Sequence, residues 1–286
     1  MIRSISPRLL LALSLCAGAP AAAAAQEADY EARLTEVKGE VTVFTAEEPE
    51  GVPGSEDMPL VAGDRVKTAA DSSAEVAFSG EHCVVLRSGS ELSVTSVKRS
   101  DCVLTLALGS LLAKIQTLAG GGFQVQTPAA VASVRGTEFA VEVDAAEPDQ
   151  TYVGVFDEGK VAVSGRTGQP ELLKSNQETT VRRGQRPLAA YQLRRFVRHR
   201  QFMRSFRKRA LALRKGWRAM DTQQRQAKRR EMLQKLKQRR EERLQKERQK
   251  QQKLRGRKGA KALRPDQEKM ERRKKAIREK LRRPGN

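Results

Sequence analysis

The hydrophobic rhythm of the chain changes once. Up to about residue 190, apolar positions alternate with polar ones in short runs: GEVTVF, AEVAF, HCVVL, ELSVTSV, CVLTLAL, FQVQT, EFAVEV, TYVGVF and KVAVSG. Alternation with a period of two predicts half-buried β-strands. Turn residues separate the runs, at Gly63-Asp64, Gly89, Gly120 to Gly122 and Gly159, and LAGGGFQV reads as a hairpin turn. Many short strands at regular spacing point to a sandwich, barrel or solenoid rather than to β-α-β units. The pattern therefore predicts one all-β domain over residues 27–190, elongated and either solenoid-like or sandwich-like.

One of these runs is interrupted. In TPAAVASVRGTEFAVEV the apolar face lies on even numbers at Ala132 and Val134, but on odd numbers at Phe139, Val141 and Val143. An extra residue in the strand produces such a change of parity, and Gly136 is the residue best suited to a β-bulge. Arg135 is then re-aimed toward solvent or an acidic neighbour.

Beyond residue 190 strand formers give way to Arg, Lys, Gln, Glu, Leu and Ala, all good helix formers. Met203, Phe206, Ala210, Leu213, Trp217 and Met220 recur at 3-4-3-4-3 spacing. That spacing predicts a long basic amphipathic α-helix over 191–255, with a bend permitted at Gly216 beside Trp217. Gly256 and Gly259 suggest a break, and 256–286 a basic linker with a short helix from Pro265. The apolar stripe is shorter than three heptads. It could pack on the β domain, pair with a second copy as a short coiled coil, recognise a partner or lie in a lipid interface.

Charge sharpens this division. Residues 27–190 hold 15 Lys and Arg against 25 Asp and Glu, net −10, whereas residues 191–286 hold 38 against 9, net +29. A tail so basic must meet anions. Arg194, Arg195, Arg198, Arg200, Arg204, Arg207, Lys208, Arg209 and Trp217 are the expected contacts with an envelope protein, anionic lipid or lipopolysaccharide. The alternative is a solvated tail folding back on its own acidic β domain.

The beginning of the chain indicates the compartment. Arg3 and Arg8, the apolar run from Leu9 and the small residues up to Ala25-Gln26 form a cleavable signal peptide over 1–26, cut near Ala25. Lipidation at Cys16 fits less well, because Leu15 is not small. The mature chain is expected to be periplasmic and to lack a membrane span, which argues against nucleic acid as its partner. Cys83 and Cys102 then remain, an even pair in an oxidising compartment, and a disulfide is the expectation. A metal site from His82, Cys83 and Cys102 is the alternative, although no CxxC or HxxxH spacing supports it. With His82 and His199 as the two histidines and no Gly-Lys-Ser/Thr phosphate loop, no catalytic, cofactor-binding or metal residue is assigned.

VRGTEFAVEV followed by TYVGVFDEGKVAV resembles the most recognisable segment of FecR domains. VKGEVTVF, LVAGDRVKTAADSSAEVAF, LRSGSELSV, LALGSLLAKI and NQETTVRRGQRP fit in order, so the resemblance covers about residues 34–187. It marks Arg135, Gly136, Thr137, Phe139, Glu158 and Gly159 as signature positions, read here as structural. It implies the periplasmic part of a sigma-factor regulator, but the cytoplasmic anti-sigma segment and transmembrane helix of those regulators have no counterpart here. The expected function is an exported, non-catalytic binding or scaffold protein of the cell envelope. The alternative is a periplasmic component of a signalling system related to sigma-factor regulators.

Overall fold

A computed structural model describes residues 29–117 and 122–281, with side chains for all of these but 254–267 and 280–281. The segment 1–26, Cys16, Gly120 and Gly121 lie outside the described residues.

The chain first forms strands β1 (Ala32–Lys38), β2 (Val41–Phe44), β3 (Val52–Pro53), β4 (Pro59–Leu60) and β5 (Arg65–Thr68). Next come β6 (Ser73–Phe78), β7 (His82–Leu86), β8 (Glu91–Val97), β9 (Asp101–Ile115) and β10 (Gly122–Gln126). The last are β11 (Val131–Asp144), β12 (Glu147–Ser164), β13 (Glu171–Leu173), β14 (Gln177–Arg182) and β15 (Tyr191–Gln192). They join in one hydrogen-bonded network whose main path is β15-β14-β12-β11-β10-β9-β7-β6-β1-β4, with β3-β2-β5-β8 branching from β9. The domain is mostly β-sheet, followed by a helical C-terminal region.

Pairing is antiparallel except between β9 and β10, which run parallel from Asp101↔Gly122 to Thr105↔Gln126. The hairpin expected at Gly120 to Gly122 is thereby corrected. The chain returns to the start of β9 and runs alongside it, which no tight turn could achieve. β9 itself is shared: its first half pairs with β8, its second with β7 and β11.

Alternation along the strands sorts side chains onto two faces. Leu34, Phe78, Leu86, Leu104, Phe123, Phe139 and Val155 belong to the main core. Ala77, Cys83, Val85, Leu112, Ala140 and Phe156 point to the opposite face, where a helix covers them. This sorting overturns the disulfide expectation. Cys102 lies in the main core beside Phe123, Cys83 lies under the helix, and both thiols are free and fully buried. Burial pushes each up to about 12, so both stay protonated.

The long helix expected over 191–255 is divided in two. After β15 come a 3-10 turn (Arg195–His199), α1 (Arg200–Gly216) and α2 (Thr222–Leu281). α1 stops where Gly216 suggested a bend, because Trp217 takes up extended backbone. Asp221 restarts the helix. Its carboxylate accepts the Gln224 backbone N–H at 2.8 Å, while the Gln224 side chain accepts the Asp221 N–H at 3.1 Å. This reciprocal capping box was visible in the sequence as Asp-x-x-Gln. The backbone of α2 continues through Gly256 and Gly259, where a break was expected. No helix among the described residues is long and apolar enough to cross a membrane.

Candidate functional site

The bulge at the signature strand lies where its parity change placed it. Register between β11 and β12 shifts between Val134 and Thr137, with Gly136 at φ +109° and Arg135 exposed. Because of that shift Ala132, Val134, Phe139, Val141 and Val143 all reach the same core. Thr137 donates its hydroxyl to the Glu158 carbonyl at 2.6 Å. Opposite it, Gly159 has φ +95°, and a Cβ there would lie 2.1 Å from the Thr137 hydroxyl oxygen. Thr137 and Gly159 thus interlock two strands, and no other residue fits at 159.

The same shift fixes what faces outward. Glu138 and Glu142 on β11, Glu75 on β6 and Glu178 on β14 are all buried, with Glu138 fully so. An uncompensated buried carboxylate is costly. Here the basic region supplies the compensation. α1 lays Met203, Phe206 and Ala210 on Cys83, Val85, Leu112, Ala140 and Phe156, and its arginines bracket this apolar seam.

Arg207 grips Glu138 through two bonds of 2.6 Å, and Lys114 approaches the same carboxylate at 3.3 Å while also bonding Glu158. Glu142 accepts from Arg195 at 2.6 and 2.9 Å and from Arg198 at 2.7 Å. Arg209 reaches Glu75 at 2.8 Å, and the Arg195 backbone N–H reaches Glu178 at 3.1 Å. The hydrogen bond to Glu138 raises Arg207 above the ordinary guanidinium range.

α2 repeats the arrangement against β3 and β4. Leu233 and Leu236 pack on the main core, and the buried Arg229 bonds both oxygens of Asp64 at 2.6 and 2.8 Å, the Pro59 carbonyl at 3.0 Å and Glu47 at 3.0 Å. The Arg229 hydrogen bond holds Glu47 down to about 2. Arg240 then approaches Glu48 and Glu50 at 3.5 and 3.4 Å.

Of the expected anion contacts, Arg195, Arg198, Arg207 and Arg209 are turned to sheet carboxylates. Arg200 bonds the Asn176 side chain at 2.5 Å, and Trp217 lies 4.0 Å beneath the Arg33 guanidinium. Arg194, Arg204 and Lys208 are exposed. Sequence reasoning assigned no role to Glu138, Glu142, Glu75, Asp64 or Arg229. Their signal was the count itself: an acidic sheet face and an arginine-flanked stripe in one chain.

His82 belongs to the core. Its Nδ1 accepts the Gln116 N–H at 3.3 Å, so Nε2 carries the proton toward the Tyr30 hydroxyl, 2.9 Å away. Burial pulls it down to about 4. Among the described residues no three His, Cys, Asp or Glu side chains are grouped to hold a metal.

No curated protein matches the chain. Two crystal structures described as a proposed anti-sigma factor from Parabacteroides distasonis, at 2.50 and 1.65 Å resolution, are each 19% identical over 45% of this chain, with a TM-score of 0.40. The match spans 59% of the length of each of those chains. A family model described as FecR protein matches residues 64–162, from the start of β5 into β12. The matched segment takes in Glu75, Glu138 and Glu142 of the outer face.

Proposed function

We propose that this chain is a non-catalytic periplasmic component of a signalling system, in which the FecR-type β domain meets a protein partner. The observation that carries this reading is the FecR match over residues 64–162, within which lie the signature bulge and the buried carboxylates of β6 and β11. The helical region serves as the second half of the module, because its apolar seam and arginines complete the sheet's outer face. A scaffold role in the envelope is the second reading. It is favoured by the same closed interface, in which His82 bonds the Tyr30 hydroxyl and both thiols are buried.

Truncation after Pro187 would strip the cover from Phe156 and Cys83, so the test uses the full chain. Photo-crosslinking residues are placed at the exposed positions Val61, Arg135 and Leu172 of the β domain, and at Lys250 of α2, in cells. The signalling reading expects one envelope protein captured from the β-domain positions, and expects its capture to change between growth conditions. Constant capture under all conditions supports the scaffold reading instead. Capture solely from Lys250 would overturn both.

A further inference from the structure

The basic region is used unequally. Between Arg195 and Arg240 nine cations pair with acids of the β domain, but from Glu241 to Lys253 every residue is exposed, and among the described residues no β-domain acid pairs with any of them. Arg239, Arg243, Lys246, Lys250 and Lys253 follow one another at 4-3-4-3 spacing. On an α-helix they form a single stripe, about 21 Å long at about 1.5 Å per residue. Glu241 and Arg248 lie on the far side of the helix with opposite charges, and Glu242 and Glu247 border the stripe. The sequence from 241 to 286 holds 19 Lys and Arg against 7 Asp and Glu, net +12, so it cannot neutralise itself.

We infer that this stripe is a docking surface for a layer of anionic lipid headgroups, on which α2 lies flat without inserting. Charge complementarity makes the case for an anionic partner. The form of the stripe selects a surface: it is straight and one-sided, and its bordering glutamates confine contact to a single plane. Absence of insertion follows from composition, since Leu244 is the one large apolar residue between 241 and 253 and lies off the stripe. A helix that buries itself in the interface needs a full apolar face. The expected contact is therefore electrostatic and lost at high salt. It does not depend on the signalling reading, because it concerns α2 beyond the part that packs on the sheet.

The test is co-sedimentation of the purified full-length mature protein with vesicles of equal parts phosphatidylglycerol and phosphatidylcholine, alongside pure phosphatidylcholine. Binding is expected to the anionic vesicles alone and to disappear at about 0.5 M salt, where charges are screened within a few ångströms. Each basic residue near such a surface changes partitioning about five-fold, so Arg243→Gln/Lys246→Gln/Lys250→Gln/Lys253→Gln should weaken it at least about ten-fold. Unchanged far-ultraviolet circular dichroism and an unchanged unfolding midpoint show that this variant is folded. Arg204→Gln/Lys208→Gln, on α1, should bind as wild type. Equal binding by the quadruple variant, or equal binding to neutral vesicles, overturns the inference. Displacement from the vesicles by an equal concentration of mixed-sequence DNA phosphates also overturns it, assigning the stripe to nucleic acid.

Discussion

Residues 191–240 and 241–286 are both strongly basic, net +17 and net +12, yet the first is fastened to the β domain and the described part of the second is exposed. Charge does not explain the difference, because exposed ion pairs contribute about 0–1 kcal/mol each. Apolar content does. α1 brings Met203, Phe206 and Ala210 to the sheet, and α2 brings Leu233 and Leu236, whereas Leu244 has no such companions before residue 254. Burial of the apolar seam removes water from the interface, and the arginines beside it then satisfy carboxylates that the same seam buries. Where no seam exists, the cations stay in solvent and are available to something else.

The sharpest way to break this comparison is to remove the seam and leave the charges. Phe206→Ala deletes a fully buried ring and should cost about 3–5 kcal/mol, read by chemical denaturation. Cys83 lies under the same helix, so its labelling by a thiol reagent should quicken in native buffer. Stability within about 1 kcal/mol of wild type, with Cys83 still protected, would mean that the ion pairs alone fasten α1.

The reverse experiment keeps the seam and removes a charge. Glu138→Ala leaves Arg207 and Lys114 facing an apolar gap, and breaking a buried pair on one side costs about 3–5 kcal/mol. Part of that is recovered here, because Arg207 also reaches Asp157 and Lys114 bonds Glu158. The expected loss is therefore at the lower end, below that of Phe206→Ala. Adding Arg207→Leu to Glu138→Ala should restore stability relative to the single variant, since both charges then leave together.

Acid probes the core beneath. His82 is neutral in the fold with its pKa near 4, while in the unfolded chain it titrates near the ordinary 6.5. Above pH 6.5 both states are neutral and the residue contributes nothing to pH dependence. As pH falls from 6.5 toward 4, the unfolded state takes up a proton that the native state refuses, and up to about 3 kcal/mol is lost. Glu47, held near 2, gives its own loss at lower pH. His199 is also pulled down to about 4, mainly by burial, and titrates in the upper window, but it is partly exposed and contributes less. Comparing wild type with His82→Gln between pH 7 and 4.5 isolates the buried histidine, and equal slopes would place its proton elsewhere.

The β domain was largely legible in the sequence because alternation, turn glycines and the Val134 to Phe139 parity change are local signals. The resemblance to FecR over residues 64–162 was legible for the same reason. What the sequence did not display was long-range: the parallel return of β10 beside β9, and the opposite facing of Cys83 and Cys102. A count of cysteines carries no information about which face of a strand each one occupies. The fastening of α1 was present as an alternative but could not be chosen, since Glu138 facing outward reads as a solvated residue until Arg207 is known to cover it.

The smallest effect tests where the basic region divides. Asp221 caps α2 with its side chain exposed, so Asp221→Ala should cost about 1 kcal/mol at most, through the Gln224 backbone N–H left to water while the bond from the 221 N–H to the Gln224 side chain stays. The seam of α1 and the Arg229 cluster flank the cap but do not rely on it. Amide hydrogen exchange should therefore quicken across the first turn of α2, while α1 and the β11 strand beneath it keep their protection. If protection falls along α1 as well, the two helices open as one unit, and the 217–221 link does not separate the two fastened stretches.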